Sequence, residues 1–198
     1  MCAVKTLYLG LRPKPGTFHY PVIRTERCLS LEAPLRLWDR FTHMIFTSQT
    51  TVEYWPGPWD KELIAIGKAT LGALKKKGLS AHVAPFPTQE GVMELVSKWK
   101  GYFFLPHSKR ARPNLVAFFK SHQIRCFAFE LYDTLLQRIE PVPSLDEFDE
   151  IVFTSPSTVD GFLKIYGFLP KTKKLTAIGP ITKQKMVEED IVFGIDSN

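Results

Sequence analysis

The chain has no apolar run long enough to span a bilayer, so no membrane helix is expected. It has only three cysteines, Cys2, Cys28 and Cys126, an odd number with no CxxC pair. That disfavours a disulfide framework and a thiolate metal site; reduced thiols in a cytoplasmic protein are expected. The five histidines, at positions 19, 43, 82, 107 and 122, form no HxxxH pair, so no metal is expected either. No glycine-rich phosphate loop is present. Residues 1–16, MCAVKTLYLGLRPKPG, hold one Lys and a short apolar run that ends in Arg-Pro-Lys-Pro. A secretory h-region with a small-residue cleavage site is missing.

What is present is a folded composition. The 198 residues are 44% apolar, enough for one or two small domains with real cores. The net charge of +6 is uneven. Residues 1–138 hold 20 Lys and Arg against 10 Asp and Glu, and residues 139–198 hold 6 against 10, which gives +10 and −4. A basic half fits an anionic partner such as nucleic acid, phosphate or a polycarboxylate, but charge alone favours the plainer reading of a soluble basic surface.

The chain repeats itself once. Residues 44–79 and 151–191 each open on a short apolar run ending in Phe-Thr-Ser, at Phe46-Thr47-Ser48 and Phe153-Thr154-Ser155. Each continues with Thr-Val and an acid, at Thr51-Val52-Glu53 and Thr158-Val159-Asp160. Each finishes with Ala-Ile-Gly-x-x-Thr, at residues 65–70 and 177–182. Two copies at so long a period point to two similar domains facing each other rather than to a solenoid.

Strand and helix signals alternate along the chain. Strands are expected at 6–11, 44–46, 63–66, 83–84, 102–105, 126–132, 151–153, 175–178 and 191–193, with an extended stretch at 20–31. Helices are expected at 35–41, from Thr51 until Pro56 cuts it short, at 70–77 before Gly78, and at 91–100, 113–122, 158–166 and 182–189. Pro106 is expected to stop the strand before it. Such alternation implies parallel sheets with crossover helices, and ligands sit outside the carboxyl ends of those strands. Both Phe-Thr-Ser and both Ala-Ile-Gly motifs fall there. Taken alone, Thr47, Ser48, Thr154 and Ser155 read as caps of the following helices; ligand contact is favoured only when their repetition is joined to the family resemblance given below. Thr70 and Thr182 carry the same ambiguity, and Gly67 and Gly179 are structural on either reading.

This pattern, FTSxxxV followed by AIGxxT and given twice, resembles the uroporphyrinogen-III synthase family. The strand Phe129-Glu130-Leu131-Tyr132-Asp133-Thr134 is similar to that family's vYxT segment, and Arg112 with Leu115 fits its R..L element. The resemblance spans about residues 44–193. It implies an α/β fold of two flavodoxin-like parallel-sheet domains joined by a two-stranded linker, one domain inserted in the other. Residues 1–24 and 139–198 would form the discontinuous domain and 25–138 the inserted one, with linker strands near 23–31 and 130–138.

The resemblance also implies the chemistry. Hydroxymethylbilane, a linear tetrapyrrole rich in carboxylates, loses a hydroxyl from its first ring's methylene. The resulting cation reacts at the last ring, which is inverted through a spiro intermediate, and closure gives uroporphyrinogen III. No metal or organic cofactor takes part. Tyr132 matches the family's tyrosine and is the expected donor to the leaving hydroxyl. The implied substrate-binding set is Thr47, Ser48, Gly67, Thr70, Arg112, Thr154, Ser155, Ser157, Gly179 and Thr182. Partners would be hydroxymethylbilane and, transiently, porphobilinogen deaminase, with no nucleic acid and no membrane; a monomer is expected. Lys109, Arg110 and Arg112 form either a carboxylate-binding loop or a solvated face.

The chain departs from the family pattern in three places. A Pro-rich turn stands where a helix normally follows the strand at 6–11. Ser108 stands where a glycine is common. The sequence stops at Asn198, short of a last helix. The main alternative is therefore a catalytically inactive relative that binds tetrapyrroles or polyanions. A nucleic-acid binder lacks an RNP motif, a zinc finger and a helix-turn-helix, and a two-lobed periplasmic receptor lacks its signal peptide.

Overall fold

A computed structural model describes residues 4–28 and 30–195, the last five as backbone only; Cys2 lies outside the described residues. β1 (Thr6–Tyr8) and the two-residue β2 (Phe18–His19) are joined by a turn through Pro13 and Pro15 with no helix. β3 (Ile23–Arg27) leads to α1 (Glu32–Arg36) and a 3-10 turn at Trp38–Arg40, where one helix over 35–41 was expected. Pro34 lies in the first turn of α1, where its missing N–H leaves no intrahelical bond unmade, and this moves the helix start forward.

The first repeat folds as β4 (His43–Phe46), α2 (Gln49–Tyr54), β5 (Glu62–Ala65) and α3 (Lys68–Lys75). The chain leaves α3 through Gly78 at φ 76°, a left-handed conformation that favours glycine. Then come β6 (His82–Val83), α4 (Gln89–Val96), β7 (Phe103–Ser108), α5 (Asn114–Ser121) and β8 (Cys126–Leu136). The second repeat gives β9 (Glu150–Phe153), α6 (Pro156–Tyr166), β10 (Lys174–Ala177) and α7 (Pro180–Ile195).

Two sequence expectations fail here. Pro106 does not end its strand but sits inside β7. The β4–β7 ladder runs only to Met44 opposite Phe104, so by Pro106 the strand is paired on the β8 side alone, and an absent N–H is tolerated. Residues 191–193, expected as a strand, continue α7. No Gly or Pro separates Glu189 from Ile191, so nothing breaks the helix before its short apolar run.

The chain divides into two compact units, Met1–Thr25 with Thr134–Asn198, and Glu26–Asp133. The first holds a four-stranded sheet in the order β10-β9-β1-β2, parallel throughout. The second is built on a six-stranded sheet in the order β3-β8-β7-β4-β5-β6, with β4 to β8 parallel.

In the second unit, successive side chains of each central strand point to opposite faces, and both faces are covered. Met44, Phe46, Leu63, Ala65 and Phe104 meet Trp38, Val52, Trp55 and Leu74 on one face. Ile45, Ile64, Phe103 and Leu105 meet Val92, Val96, Leu115 and Phe119 on the other. The first unit packs Leu7, Leu9, Ile151 and Phe153 against Val159 and Phe162 of α6. Thr47 and Ser48 directly follow β4, Thr154 and Ser155 directly follow β9, and Gly67 and Gly179 lie two residues past β5 and β10, at the carboxyl ends of parallel strands; Tyr132 lies inside β8.

Candidate functional site

At the carboxyl end of β4 the chain turns through Thr47 and Ser48 into α2. Ser48 is the N-cap, with its Oγ accepting from the Thr51 amide at 3.0 Å. The same Oγ lies 2.7 Å from Thr51 Oγ1 and 3.1 Å from the Tyr132 hydroxyl. Thr51 is fully buried and Tyr132 is 7% exposed. The β7–β8 register shifts between His107 and Ser108, which brings Ser108 opposite Tyr132. Tyr54 meets the Tyr132 ring edge-on, with centroids 5.6 Å apart.

Burial pushes the Tyr132 phenol above its usual pKa, and hydrogen bonds to Ser48, Thr51 and Ser108 only partly offset this. The phenol is therefore neutral at physiological pH and keeps a proton to donate. Where that proton points depends on Ser48, which has one proton and two lone pairs. One lone pair takes the Thr51 amide, so Ser48 donates to one neighbouring hydroxyl and accepts from the other. If Thr51 donates to Ser48 and Ser48 to Tyr132, the phenolic proton is released from Ser48 and can be given to Ser108 or to a ligand. If the order is reversed, it is used within the network. Switching requires rotation of hydroxyl protons and no movement of heavy atoms.

On the face of the sheet covered by α4 and α5 lies a cavity of about 370 Å³, lined among others by Thr47, His107, Lys109, Arg112, Leu115 and Glu130. Its size is within the range of small-molecule sites. Gln89, 8% exposed, holds the floor together. Its Nε2 donates to the Arg112 carbonyl at 3.0 Å, and its Oε1 accepts from the Leu115 amide at 3.1 Å. Arg112 makes a two-pronged pair with Glu90, Nη1 to Oε1 at 3.1 Å and Nη2 to Oε2 at 3.4 Å. Arg110 is paired with Asp133 at 3.1 Å.

The remaining candidates of this unit sit at the end of β5. Gly67 is the extended N-cap residue of α3, and a Cβ there would stand 2.9 Å from the Pro87 Cβ, so its small size serves packing. Thr70 is 3% exposed, on the buried side of α3.

In the first unit, Thr154 and Ser155 lead from β9 into α6. The fully buried Thr158 stitches this corner: its Oγ1 accepts from the Thr154 and Ser155 amides at 3.1 and 3.2 Å and donates to the Ser155 carbonyl at 2.6 Å. Ser157 follows in the first turn of α6, half-buried. Gly179 precedes α7 with nothing within 4 Å of an added Cβ, unlike Gly67, and Thr182 is 3% exposed. The repeated motif thus builds similar corners whose side chains do different things.

A family model described as Uroporphyrinogen-III synthase HemD matches residues 16–192. The chain belongs to the uroporphyrinogen-III synthase family. That family's substrate is hydroxymethylbilane, and its reaction is a lyase step of porphyrin and haem biosynthesis. A curated relative from Methanothermobacter thermautotrophicus, provisionally named a uroporphyrinogen-III synthase, is 29% identical over 191 residues, covering 82% of this chain and 75% of the relative. Crystal structures similar to this chain include a mutant uroporphyrinogen III synthase from Thermus thermophilus, TM-score 0.66 and 20% identity, covering 94% of this chain and 89% of that one. Another is the uroporphyrinogen-III synthetase of Helicobacter pylori, TM-score 0.67 and 17% identity, with coverage of 94% and 89%. At those identities the likeness is one of fold.

Within this family's fold, the chain brings Ser48 and Tyr132 together at one corner of the second unit and places Arg112 on a separate cavity that Thr47 also lines. The sequence reading missed Thr51 as the hydroxyl that completes the Tyr132 network; the TV-acid repeat contained it. It also missed Gln89 and Glu90, and no sequence signal tied them to Arg112. Ser108, noted only as a departure, is a hydrogen-bonding neighbour of Tyr132. Among the described residues no group of His, Cys, Asp and Glu side chains gathers as a metal site, and no helix is long and apolar enough to cross a membrane.

Proposed function

We propose that this chain is a working uroporphyrinogen-III synthase, a cyclising hydro-lyase that converts hydroxymethylbilane to uroporphyrinogen III and water. The observation that carries this reading is the buried, neutral Tyr132 phenol held on the helix-capping Ser48. Tyr132 donates its proton to the hydroxyl leaving the first ring's methylene, so that water departs and a ring-stabilised cation remains. A positioned donor lowers the barrier where charge develops. The cation joins the substituted carbon of the last ring, the spiro intermediate reopens with that ring inverted, and closure at its free carbon releases a proton.

Thr47, Ser48 and Arg112 in the second unit, and Thr154, Ser155, Ser157 and the backbone at Gly179 in the first, each offer donors to substrate carboxylates. Helix N-terminal amides add to both sets. The burial of Thr70 and Thr182 favours roles as supports of these rims, and Gly67 allows the close packing under one of them. On the same reading the two units are flavodoxin-like domains, the second inserted in the first, and the protein is a cytoplasmic monomer that takes its substrate from porphobilinogen deaminase.

The low exposure of Tyr132 favours one other reading, an inactive relative that binds tetrapyrroles. A coupled assay separates the two. With porphobilinogen deaminase making hydroxymethylbilane, an active chain turns the product from the type I to the type III isomer. A product that stays type I at demonstrated binding rejects the enzymatic reading.

A further inference from the structure

We infer that Glu90 is a built-in competitor for Arg112, and that the cavity beside it is a carboxylate cradle in which Arg112 exchanges Glu90 for a carboxylate of the bound ligand. The inference rests on Arg112 being a ligand-binding residue. It adds the chemistry of the neighbouring pocket and a residue that sets its affinity.

Three observations carry it. First, Arg112 lines the cavity, but its guanidinium is already held in a two-pronged grip by the Glu90 carboxylate at 3.1 and 3.4 Å. This is the geometry in which a guanidinium takes a free carboxylate. Glu90 thus occupies the bonds an incoming carboxylate would make. Second, the pair is solvated: the Glu90 side chain is 53% exposed and that of Arg112 34%. Solvent screens the pair despite its bidentate geometry, so a ligand carboxylate that makes the same two bonds and adds further contacts displaces Glu90. Third, the backbone beneath Arg112 is fixed independently. Gln89 grips the Arg112 carbonyl and the Leu115 amide, so the side chain can swing while the cradle's floor stays in place.

The cavity lining suits an anion. His107, Lys109 and Arg112 face it with the Thr47 hydroxyl nearby, against the single exposed carboxylate of Glu130. Glu90 does not line the cavity. It holds the arginine from outside, as a latch that leaves room for a ligand. The Glu90 carboxyl is kept below its ordinary pKa, first by a hydrogen bond from its own amide and then by Arg112, so the latch is charged at neutral pH.

The test is a binding cycle on the full chain with uroporphyrin III, an octacarboxylate whose emission reports binding. Wild type, E90Q, R112Q, the double variant and E94Q are titrated at one low salt concentration. Thr88 still caps α4 through the Gly91 amide at 3.3 Å, so E90Q is expected to fold. E90Q should tighten binding about two- to five-fold, the worth of one solvated ion pair. R112Q should weaken it about ten-fold, the worth of one charge-assisted bidentate contact. The double variant should bind like R112Q, because the competitor has nothing left to compete for. E94Q, one turn along the same helix, removes an equal charge and should change nothing.

A gain from E90Q that persists in the R112Q background means a general charge effect and overturns the latch. So does an E90Q variant that binds no tighter than wild type. Tripolyphosphate displacing the porphyrin at lower concentration than citrate would overturn the carboxylate class. Absence of binding by every variant would overturn the cradle itself. A chain that shows the predicted cycle yet leaves the coupled-assay product as type I keeps the cradle and loses the proposed activity.

Discussion

Ser48→Ala removes one oxygen and disturbs three partners. The Thr51 amide loses its cap acceptor at 3.0 Å, and the Thr51 and Tyr132 hydroxyls each lose a neighbour, at 2.7 and 3.1 Å. Loss of an N-cap costs about 1 kcal/mol. Thr51 is fully buried and Tyr132 nearly so, which adds roughly 1–3 kcal/mol for a hydroxyl left short of a partner. The expected total is about 2–4 kcal/mol. Ser155→Ala, at the matching corner of the other repeat, is the internal control. There the Thr158 hydroxyl bonds to the backbone of residues 154 and 155, which the substitution leaves intact. Only the cap contribution of about 1 kcal/mol should be lost. All four tryptophans, at 38, 55, 59 and 99, lie in the second unit, so their fluorescence in a denaturant titration reports that unit alone, while far-ultraviolet circular dichroism follows both. Ser48→Ala should lower the midpoint of the tryptophan transition by an amount equivalent to on the order of 10–20 °C in melting temperature for a unit of this size. Ser48→Thr should recover most of it. If Ser48→Ala costs no more than Ser155→Ala, the hydroxyl network does not hold Tyr132 as described.

Gly67→Ala should destabilise the second unit by about 1–3 kcal/mol, because its Cβ would press on Pro87 at 2.9 Å, whereas Gly179→Ala meets nothing within 4 Å and should leave stability unchanged; thermal melts of the two variants check this. Burial pushes the Cys126 thiol up to about 12, so in a Cys2→Ser background Cys28 should react with a disulfide reagent at pH 8 well before Cys126, and equal rates would contradict the packing around β8. Burial lowers the His43 pKa below its ordinary 6.5, so the proton binds the unfolded chain more readily; the stability this adds is present above pH 6.5 and declines as the pH falls below it. His43→Gln should flatten that part of the pH–stability curve, and an unchanged slope would count against it.

Much of the scaffold was legible because local rules and tertiary demands agree along most of the chain. Residues 44–46 and 151–153 are apolar runs before hydroxyl residues, and they became buried parallel strands. Gly78 ended its helix as its spacing implied. Failures came where a distant partner decided the outcome. Pro106 was tolerated because the ladder on one side of β7 had already ended. The run at 191–193 had the composition of a strand but no breaker ahead of it, and it stayed helical. The site was legible as motifs and not as contacts. Nothing local says that Ser48 meets a tyrosine 84 positions away, or that the pair Gln89-Glu90 governs Arg112 from 22–23 positions away. The repeat marks Thr51 and Thr158 as equivalent positions, yet Thr51 joins Ser48 in the hydroxyl network of Tyr132 while Thr158 bonds to the backbone of residues 154 and 155.

The most direct measurement is the isomer ratio in the deaminase-coupled assay, for wild type and Tyr132→Phe at equal enzyme. The substitution removes only the phenolic oxygen, and Ser48 keeps its bonds to Thr51, so the variant should melt within about 1 kcal/mol of wild type. Wild type should give the type III isomer, and Tyr132→Phe should form it about ten- to a thousand-fold more slowly, the loss expected for one general acid. Wild-type rates from a folded Tyr132→Phe, or type I product from the wild type, would contradict the account.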